Sequence, residues 1–429
     1  MVNKRMVSII VCIALLCCIA PSVGAAKKTI TILQWMQSPE AQARWDKLME
    51  QFYELYPDIE VKPIRTNEYT IKLQTMVASG NPPDVAEARV QWEYAMLAPR
   101  GAFMDLQPYI EKSTVLSRDY FFDSAYDLFN MNGAQLGVPI NANLTCIVYN
   151  KDMFDAEGLP YPDETWTWDD ILQAALKLTK DVDGDGRVDQ FGMVVPTWYF
   201  IHYLGSRGIN LFNEDQTQFL FDTPEAIESV QWLADLWTKH KVAVPLAGAA
   251  AVGERDVAFG FESGKAAMSL DGTWSIADYA ETIQAFDWDV TLLPLASPGA
   301  PRIATMITGS YVIPKKAKYP DEAWKLIEFL LSPEVRKGDV ARTGEVPAQI
   351  PVANSAEFLS NPLPPADRTM WIRGLESARF FIEPVTVLGM ELNREINQAL
   401  DQVWIGKKTA AEVMPPLTKR MNEELAKMD

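Results

Sequence analysis

The chain has 429 residues, of which 48% are hydrophobic and 22% are charged. This composition is typical of globular proteins, and the length is sufficient for two domains. The formal net charge of −18 argues against nucleic acid as a partner, which requires a basic face, and against electrostatic binding to anionic membranes. Because the only histidines are His202 and His240, we expect neither a histidine-based triad nor an HExxH zinc site.

The first segment, residues 1–26, has the pattern of a secretory signal peptide. Lys4 and Arg5 precede an apolar run over 6–20, and Pro21 and small residues follow. This arrangement predicts cleavage and export to the periplasm or to the outer face of the cytoplasmic membrane. The alternative is an uncleaved anchor, because the apolar run approaches the ~18 residues that membrane spanning requires.

Cysteine usage follows from this segment. Cys12, Cys17 and Cys18 lie within it, so a cleaved chain keeps only Cys146 and contains no intrachain disulfide. Cys146 lies in the apolar run LTCIVY, which predicts a buried, unreactive side chain.

The chain then alternates between strand and helix patterns. KKTITILQW alternates in hydrophobicity as a strand, and the following stretch predicts a helix that Ser38 caps and Pro39 begins. IEVKPI, EYTIKLQTMVAS and DVAEA indicate a strand, a helix and a strand. This order predicts an α/β domain with a largely parallel sheet.

Ligands of such sheets bind beyond the carboxyl ends of the strands. The first and third predicted strands therefore supply candidate ligand contacts, which are Trp35, Gln37, Glu87 and Arg89. Further along, the apolar run from Leu144 to Tyr149 predicts a buried strand, and Thr167 with Asp170 predicts a capping box at the start of a helix.

The stretch FESGKAAMSLDGTW, residues 261–274, predicts a turn, a buried strand and a second turn. Gly264 permits the first turn, and Asp271 with Gly272 brings Trp274 to the strand end. Sugar sites combine aromatic rings, which stack on C–H patches, with planar side chains that bind hydroxyls. Trp274 beside Asp271 fits that combination, and the alternative is that Trp274 belongs to a lobe core.

A second motif is DVDGDGRVDQFG, residues 181–192. Its acidic residues are Asp181, Asp183, Asp185 and Asp189. They have the spacing of a calcium-binding loop, in which Gly186 occupies the position of the sharp turn. The twelfth position is Gly192, where such loops carry a bidentate glutamate. Two interpretations stay open, namely a calcium site and a turn in which the aspartates accept backbone N–H groups.

Several segments in this order and spacing resemble one known family. They are SGNPPDV at 79–85, GVPINANLTCIVYNKDMFDAEGL at 137–159, TWTWDD at 165–170, the stretch at 261–274, and GSYVIPKKAKYPDEAWKLIEFL at 309–330. The chain resembles the extracellular solute-binding proteins of ATP-binding-cassette (ABC) importers, specifically the family 1 sugar-binding type that includes maltose-binding protein. The resemblance covers essentially the whole chain after the signal segment.

The resemblance implies a type II periplasmic-binding-protein fold. Each of two α/β lobes would hold a mainly parallel sheet flanked by helices, with the ligand cleft between the lobes. Chain crossings are expected near 142–145, near 303–308 and after Ser332. The implied organisation is a signal peptide over 1–26, an N-terminal lobe over 27–142 plus 309–335, and a C-terminal lobe over 143–308 plus 336–429.

The resemblance also implies which side chains line the cleft. The matching positions are Trp35, Glu87, Arg89, Asn141, Asn143 and Tyr311. The residues themselves add Asp271 and Trp274 from the stretch at 261–274, and Trp198 from the loop after FGMVV as a residue that would cover the sugar. Two of them have plausible structural alternatives: Arg89 pairs with Glu87 or Glu93, and Trp198 packs within its own loop. No catalytic residue is implied.

The expected function is the capture of a sugar or oligosaccharide outside the cytoplasmic membrane and its delivery to the transmembrane subunits of an ABC permease. We expect a monomer that is not an enzyme and that needs no cofactor, apart from calcium if the aspartate loop binds it. The alternatives are an exported carbohydrate-active enzyme, for which a carboxylate pair would suffice, and a receptor for a non-sugar solute. The identities of the sugar and of the permease lie beyond these patterns.

Overall fold

The computed structural model describes residues 27–36, 38–213, 215, 217–246, 260–377 and 389–427. The predicted signal segment and Gln37 lie outside these residues. The strands are β1 Lys28–Trp35, β2 Ile59–Thr66, β3 Val85–Arg89, β4 Asn130–Met131, β5 Ala134–Gln135, β6 Val138–Pro139, β7 Asn143–Asn150, β8 Phe191–Val194, β9 Ala266–Gly272, β10 Trp288–Leu292, β11 Met306–Ile307 and β12 Gly309–Val312.

Helices surround these strands. The first nine are α1 Pro39–Leu55, α2 Tyr69–Ala78, α3 Ala95–Leu97, α4 Gln107–Ile110, α5 Asp123–Tyr126, α6 Lys151–Ala156, α7 Trp168–Leu178, α8 Phe200–Ser206 and α9 Pro224–Thr238. The later ones are α10 Ile276–Thr282, α11 Pro320–Leu330, α12 Pro333–Thr343, α13 Ile350–Ala353, α14 Ala356–Leu359, α15 Thr369–Ser377, α16 Gly389–Trp404 and α17 Ala410–Leu425. Short π or 3-10 segments are Val90–Tyr94, Arg118–Tyr120, Asp127–Phe129, Thr197–Tyr199 and Thr273–Ser275.

The first sheet has the strand order β2-β1-β3-β12-β6. β1 runs parallel to β2 and β3, as the alternation of strands and helices predicts. Ser38 caps α1, since its Oγ accepts the N–H of Ala41 at 3.3 Å. β12 runs antiparallel to β3 and β6, so the complete sheet is mixed.

The second sheet has the order β10-β7-β9-β8, with β11 also paired to β7. Only β8 and β9 run parallel here, while β7 is antiparallel to β9, β10 and β11. The α/β fold with two sheets is confirmed, but the expectation of a mainly parallel sheet is wrong for this one. The reason is directional: β7 runs away from the crossing at Asn143, whereas β9 runs back toward it and pairs Gly272 with Thr145.

Two crossing segments of the chain lie side by side between the sheets. Leu144 and Asn143 of β7 pair with Met306 and Ile307 of β11. Just beyond, the hydroxyl of Thr308 donates to the backbone carbonyl of Asn141. Both crossings therefore fall within the predicted ranges, and they form a two-stranded connection at which a hinge can operate.

Segments that follow the third predicted crossing, after Ser332, also contact residues that precede the first crossing. The N–H of Phe122 donates to the carbonyl of Ala348 at 3.0 Å, and Asn141 forms a bridge with Pro347. These contacts attach part of the predicted C-terminal lobe to residues of the predicted N-terminal lobe. The lobe boundaries stay a prediction.

The local motifs that the sequence predicts are present in the structure. Thr167 and Asp170 make a capping box at the start of α7. Gly264 has a φ of 69°, and every residue of β9 is buried. Cys146 is buried in β7, and burial raises the pKa of its thiol, so it is a small core residue as expected.

Close packing between α7 and β8 generates a stability prediction. A Cβ atom at Gly192 would overlap the carbonyl oxygen and Cα of Ala175 in α7. We expect Gly192→Ala to destabilise the fold by about 1–3 kcal/mol, the usual cost of overpacking. Urea unfolding monitored by tryptophan fluorescence measures this difference.

The matched control is Gly338→Ala within α12, where an added Cβ meets nothing within 4 Å. This change should stabilise the helix by about 0.5–1 kcal/mol. Equal unfolding midpoints for the two variants would contradict the packing argument.

Candidate functional site

An aromatic stack with a guanidinium group lies at the carboxyl ends of β1 and β3. The Trp35 ring stacks on Tyr69 with 5.1 Å between ring centroids. The guanidinium of Arg89 lies 5.0 Å from the centroid of Trp35 and 4.0 Å from that of Trp92. Glu93 holds Arg89 through contacts at 2.7 and 3.1 Å, so the guanidinium has a fixed plane and a neutralised charge.

Glu87 lies next to this stack in β3. Its backbone N–H donates to the Tyr69 hydroxyl at 2.7 Å, and that hydroxyl donates to its carbonyl at 2.9 Å. Burial raises the pKa of the Glu87 carboxyl to about 7, although Arg89 opposes the shift. The carboxyl group is thus partly protonated near neutral pH and is able to donate as well as accept hydrogen bonds.

Tyr311 lies directly opposite Glu87 in the antiparallel pairing of β12 with β3. Residues opposite each other in such a pair project from the same face of the sheet. Burial and the charge of Glu87 raise the pKa of Tyr311, which keeps its hydroxyl protonated. The pair therefore presents a carboxyl group beside a neutral hydroxyl group.

Helix α12 and the loop after it bring further charges to Glu87. Arg336 is buried and donates from Nη1 to Asp339 at 2.8 Å. The charge of Arg336 lowers the pKa of Glu87, whereas the charge of Glu345 raises it. Both residues therefore belong to the same electrostatic group as Glu87.

On the second sheet, the ring of Trp274 lies across the end of β9. A Cβ atom at Gly272 would overlap the six-membered part of that ring, so glycine makes the contact possible. The described residues form two hydrophobic clusters, and Trp274 belongs to neither. Trp198 lies 6.5 Å from Trp274, ring to ring, at 41°. Trp198 packs against the second cluster, so the pair consists of one indole at the edge of that core and one, Trp274, outside it.

Asp271 has a structural role beside this surface. Its Oδ1 accepts the N–H of Gly272 at 2.8 Å and the hydroxyl of Ser275 at 2.7 Å, and its other oxygen accepts from Tyr279. These bonds fix the turn that carries Trp274. Asp271 is 7% exposed, so its carboxylate anchors the turn more than it faces solvent.

The side chain of Asn143, at the crossing, makes hydrogen bonds to two distant parts of the chain. Its Nδ2 donates to Glu345 at 3.4 Å, and its Oδ1 accepts from the Thr273 hydroxyl at 3.0 Å. Asn141 contacts the neighbouring crossing segment, since its Oδ1 accepts a hydrogen bond from the Thr308 hydroxyl at 3.2 Å. A polar path thus runs from Glu345 through Asn143 to Thr273.

The structure brings most of the predicted contacts into this group, while Gln37 lies outside the described residues. Sequence reasoning omitted three participants from the set of contacts: Tyr69, Trp92 and Arg336. Tyr69 and Trp92 occupy helical segments where an aromatic residue normally indicates core. Arg336 lies within an ordinary charged helix, and only the folded structure shows that it is buried and paired with Asp339.

Comparison with known proteins agrees with this architecture. Residues 33–337 match the family described as bacterial extracellular solute-binding protein. The chain belongs to this family. A putative binding protein of Brucella abortus is 24% identical over 340 residues, which are 78% of each chain. The sn-glycerol-3-phosphate-binding periplasmic protein of Escherichia coli K12 is 22% identical over 95% of each chain.

A solved structure shares the fold of this solute-binding protein. The ABC substrate-binding protein of Listeria monocytogenes in complex with cycloalternan has a TM-score of 0.79 and 26% identity, covering 93% of this chain and 99% of the other. The maltose-bound MalE3 of T. maritima has a TM-score of 0.73 and 23% identity, covering 94% and 100%. The predicted two-lobed periplasmic-binding-protein fold is therefore confirmed.

Family membership also bears on activity and location. The family consists of extracellular solute-binding proteins, so this chain is a binding protein and not an enzyme, and it functions outside the cytoplasm. Across the described segments, the helices are too short or too polar to cross a membrane.

The aspartate loop of the solute-binding protein is exposed and directly precedes β8. Carboxylate oxygens of Asp181, Asp183 and Asp189 lie within 4.8 Å of one another. They also accept backbone N–H groups, as from Gly184 to Asp181 at 2.7 Å. Asp185 accepts from Arg187 at 2.8 Å and is not in that group.

This geometry fits a calcium ion, because a carboxylate oxygen that accepts one N–H keeps a lone pair for a hard cation. It fits the turn interpretation equally well. Calcium binding stays a prediction.

We expect millimolar calcium to raise the melting temperature of the protein if three carboxylates share the ion. Asp183→Asn with Asp189→Asn should abolish that rise, whereas Asp215→Asn, which alters an aspartate outside this loop, should retain it. Differential scanning calorimetry with calcium and with chelator measures the effect. Equal melting temperatures in both buffers would exclude the metal.

Proposed function

We propose that this solute-binding protein captures a neutral sugar or oligosaccharide between its two lobes and delivers it to an ABC permease. The observation that carries the proposal is that each sheet has an aromatic group near its strand ends and that Asn143, at the crossing, bonds to both Glu345 and Thr273. Trp35 with Arg89 lies on the first lobe, and Trp274 with Trp198 lies on the second.

The chemistry of these aromatic groups suits a pyranose or furanose ring. Indole faces stack on the C–H patches of a sugar, and planar carboxylate, amide and guanidinium groups bind its hydroxyls. Glu87 and Asn143 supply such groups. A ligand that touches both lobes favours their closed arrangement, because only differential contacts shift a conformational equilibrium.

Charge favours a neutral ligand over a phosphate ester. Arg89 is neutralised by Glu93, and Arg336 by Asp339. Glu87 and Glu345 remain as acidic groups beside the cleft, and they would repel a phosphate. The E. coli relative named for sn-glycerol 3-phosphate is thus a weaker guide to the cargo than the arabinooligosaccharide-binding protein of Bacillus subtilis, which is 24% identical over 301 residues.

Solved neighbours bind sugars of different kinds. Their bound ligands are cycloalternan, α-D-tagatose and maltose. We therefore infer a sugar as the class of cargo and leave the individual sugar to experiment. The partner is the pair of transmembrane permease subunits, and we propose that the binding protein reaches them as a monomer.

The first experiment is a thermal-shift panel on the mature chain. We expect at least one neutral sugar among maltose, arabinotriose, D-tagatose and cycloalternan to raise the melting temperature, because a ligand specific for the folded state stabilises it by mass action. sn-Glycerol 3-phosphate is the charged comparison. A shift with that ester alone would overturn the neutral-sugar proposal, and chromatography showing cleaved sugar would restore the enzyme alternative.

Trp274→Ala is the single substitution that tests the stacking proposal most directly. Loss of a stacking surface should weaken the best panel sugar more than about tenfold, or ~1.4 kcal/mol, in isothermal titration calorimetry. The ligand-free melting temperature should change little, because Trp274 lies outside both described cores.

Trp404→Ala is the matched control, since this buried indole belongs to the second hydrophobic cluster. It should lower the melting temperature without a specific loss of affinity. If Trp274→Ala behaved in the same way, Trp274 would be a core residue and the stacking proposal would fail.

A further inference from the structure

A cavity of about 560 Å³ lies between the end of α2, the turn after α3 and the loop after β12. Apolar residues form much of its wall, and they are Val77, Pro82, Leu97, Ala102 and Pro314. Small-molecule sites in proteins are usually cavities of about 300–1,000 Å³ with mainly apolar walls and a few polar groups. The size and the lining of this cavity therefore suit a small ligand.

The cavity and the candidate sugar site lie at opposite ends of the strands of the first sheet. Trp35 and Arg89 are the last residues of the parallel strands β1 and β3. Pro82 precedes β3, and Pro314 follows β12, which runs antiparallel to β3. The five residues of β3 span about 16 Å, at ~3.3 Å per residue. The cavity is thus separate from the aromatic stack at Trp35.

Backbone hydrogen bonds hold the walls of the cavity together. Beyond the end of α2, the N–H of Gly80 donates to the carbonyl of Val77 at 3.1 Å. The N–H of Ala102 donates to the carbonyl of Leu97 at 3.2 Å, and the N–H of Lys315 donates to the carbonyl of Ala102 at 2.7 Å. The loop after β12 is therefore attached to the turn after α3, and the cavity is enclosed by paired backbone.

Three cationic side chains border the cavity, namely those of Arg100, Lys315 and Lys316. All three are exposed, and none of them forms an ion pair with another residue that the structure describes. A Cβ atom at Gly80 would lie 3.6 Å from Nζ of Lys316, so this lysine extends over the end of α2. Such a group of cations is a local reversal of charge in a chain whose net charge is −18.

The nearby helix ends balance only part of this positive charge. The carboxyl end of a helix carries roughly half a negative charge, so the ends of α2 and α3 together contribute about one. An excess of about two positive charges therefore remains beside the cavity. The aliphatic stems of the lysine and arginine side chains also continue the apolar wall toward solvent. This combination of an apolar interior and a cationic rim favours a ligand with an apolar body and an anionic head.

We propose that this cavity is a second ligand site, which binds a small amphipathic anion. The apolar body of the ligand lies against the cavity wall, and its carboxylate or phosphate head faces Arg100, Lys315 and Lys316. A neutral sugar lacks the charge for this rim, and inorganic phosphate lacks an apolar body for the wall. The site is therefore distinct in ligand class from the cleft, and it does not depend on the proposed function.

Isothermal titration calorimetry of the mature chain with octanoate, and separately with octyl phosphate, tests this proposal. We expect at least one of these anions to bind at a single site, and to bind more tightly than 1-octanol, which has no charge, or acetate, which has no apolar body. Added sodium chloride should weaken the binding, because salt screens exposed charges. Binding of neither anion would overturn the proposal.

Removal of the rim charges tests the role of the cations. The triple variant Arg100→Gln, Lys315→Gln, Lys316→Gln should weaken the anion that binds by about tenfold or more, since exposed ion pairs contribute a factor of roughly two to five each. Lys72→Gln is the matched control, because Lys72 is an exposed lysine of α2 that does not line the cavity. It should leave the affinity unchanged. Equal affinities in the triple variant and the parent would contradict the proposal.

A change of shape provides a second variant that leaves the charges in place. Ala78 lines the cavity and is exposed, so Ala78→Phe should fill part of the space without crowding the core. It should weaken binding of the anion while the melting temperature stays close to that of the parent. Unchanged affinity in this variant would show that the anion binds elsewhere and would overturn the inference.

The two ligand sites are separated by exchanging their probes. Trp274→Ala should bind the anion as tightly as the parent does, and a loss of affinity there would place the anion in the sugar cleft and overturn the inference. The triple charge variant should bind the panel sugar as tightly as the parent does. If no panel sugar bound the parent, the proposed function would fail, while the octanoate and octyl phosphate titrations would still decide whether the cavity binds an anion.

Discussion

The antiparallel insertion of β12 between β3 and β6 is the constraint on which the site depends. This strand enters the first sheet only after the chain has built the second sheet and crossed back at Met306 and Ile307. Its hydrogen bonds fix Tyr311 opposite Glu87 and leave the two crossings side by side. The same pairing therefore closes the first sheet, joins the lobes and completes one wall of the cleft.

Around that wall, two cations are each matched to a carboxylate that restrains them. Arg89 is held by Glu93 between two tryptophans, and Arg336 is held by Asp339. Glu87 lies two residues before Arg89 in β3, and burial raises the pKa of its carboxyl to about 7. This arrangement keeps the cleft free of excess positive charge, which suits hydroxyl groups better than phosphate.

The second wall depends on shape more than on charge. Gly272 lets the indole of Trp274 lie flat against the strand end, and Asp271 fixes the turn through three hydrogen bonds. The carboxylate was expected to face a ligand beside Trp274, but these bonds turn it toward its own backbone and neighbours. An aromatic surface held by a turn can be exposed without being mobile, which lowers the entropic cost of stacking.

The sequence by itself determined the features that depend on local chemistry. Ser38 and Thr167 specify helix starts, Gly264 specifies a turn, and the apolar run around Cys146 specifies a buried strand, because each acts through neighbours a few residues away. Only the tertiary structure decided the antiparallel second sheet and the place of Arg336. Both depend on strand direction and helix packing between residues far apart in the chain, which no local pattern encodes.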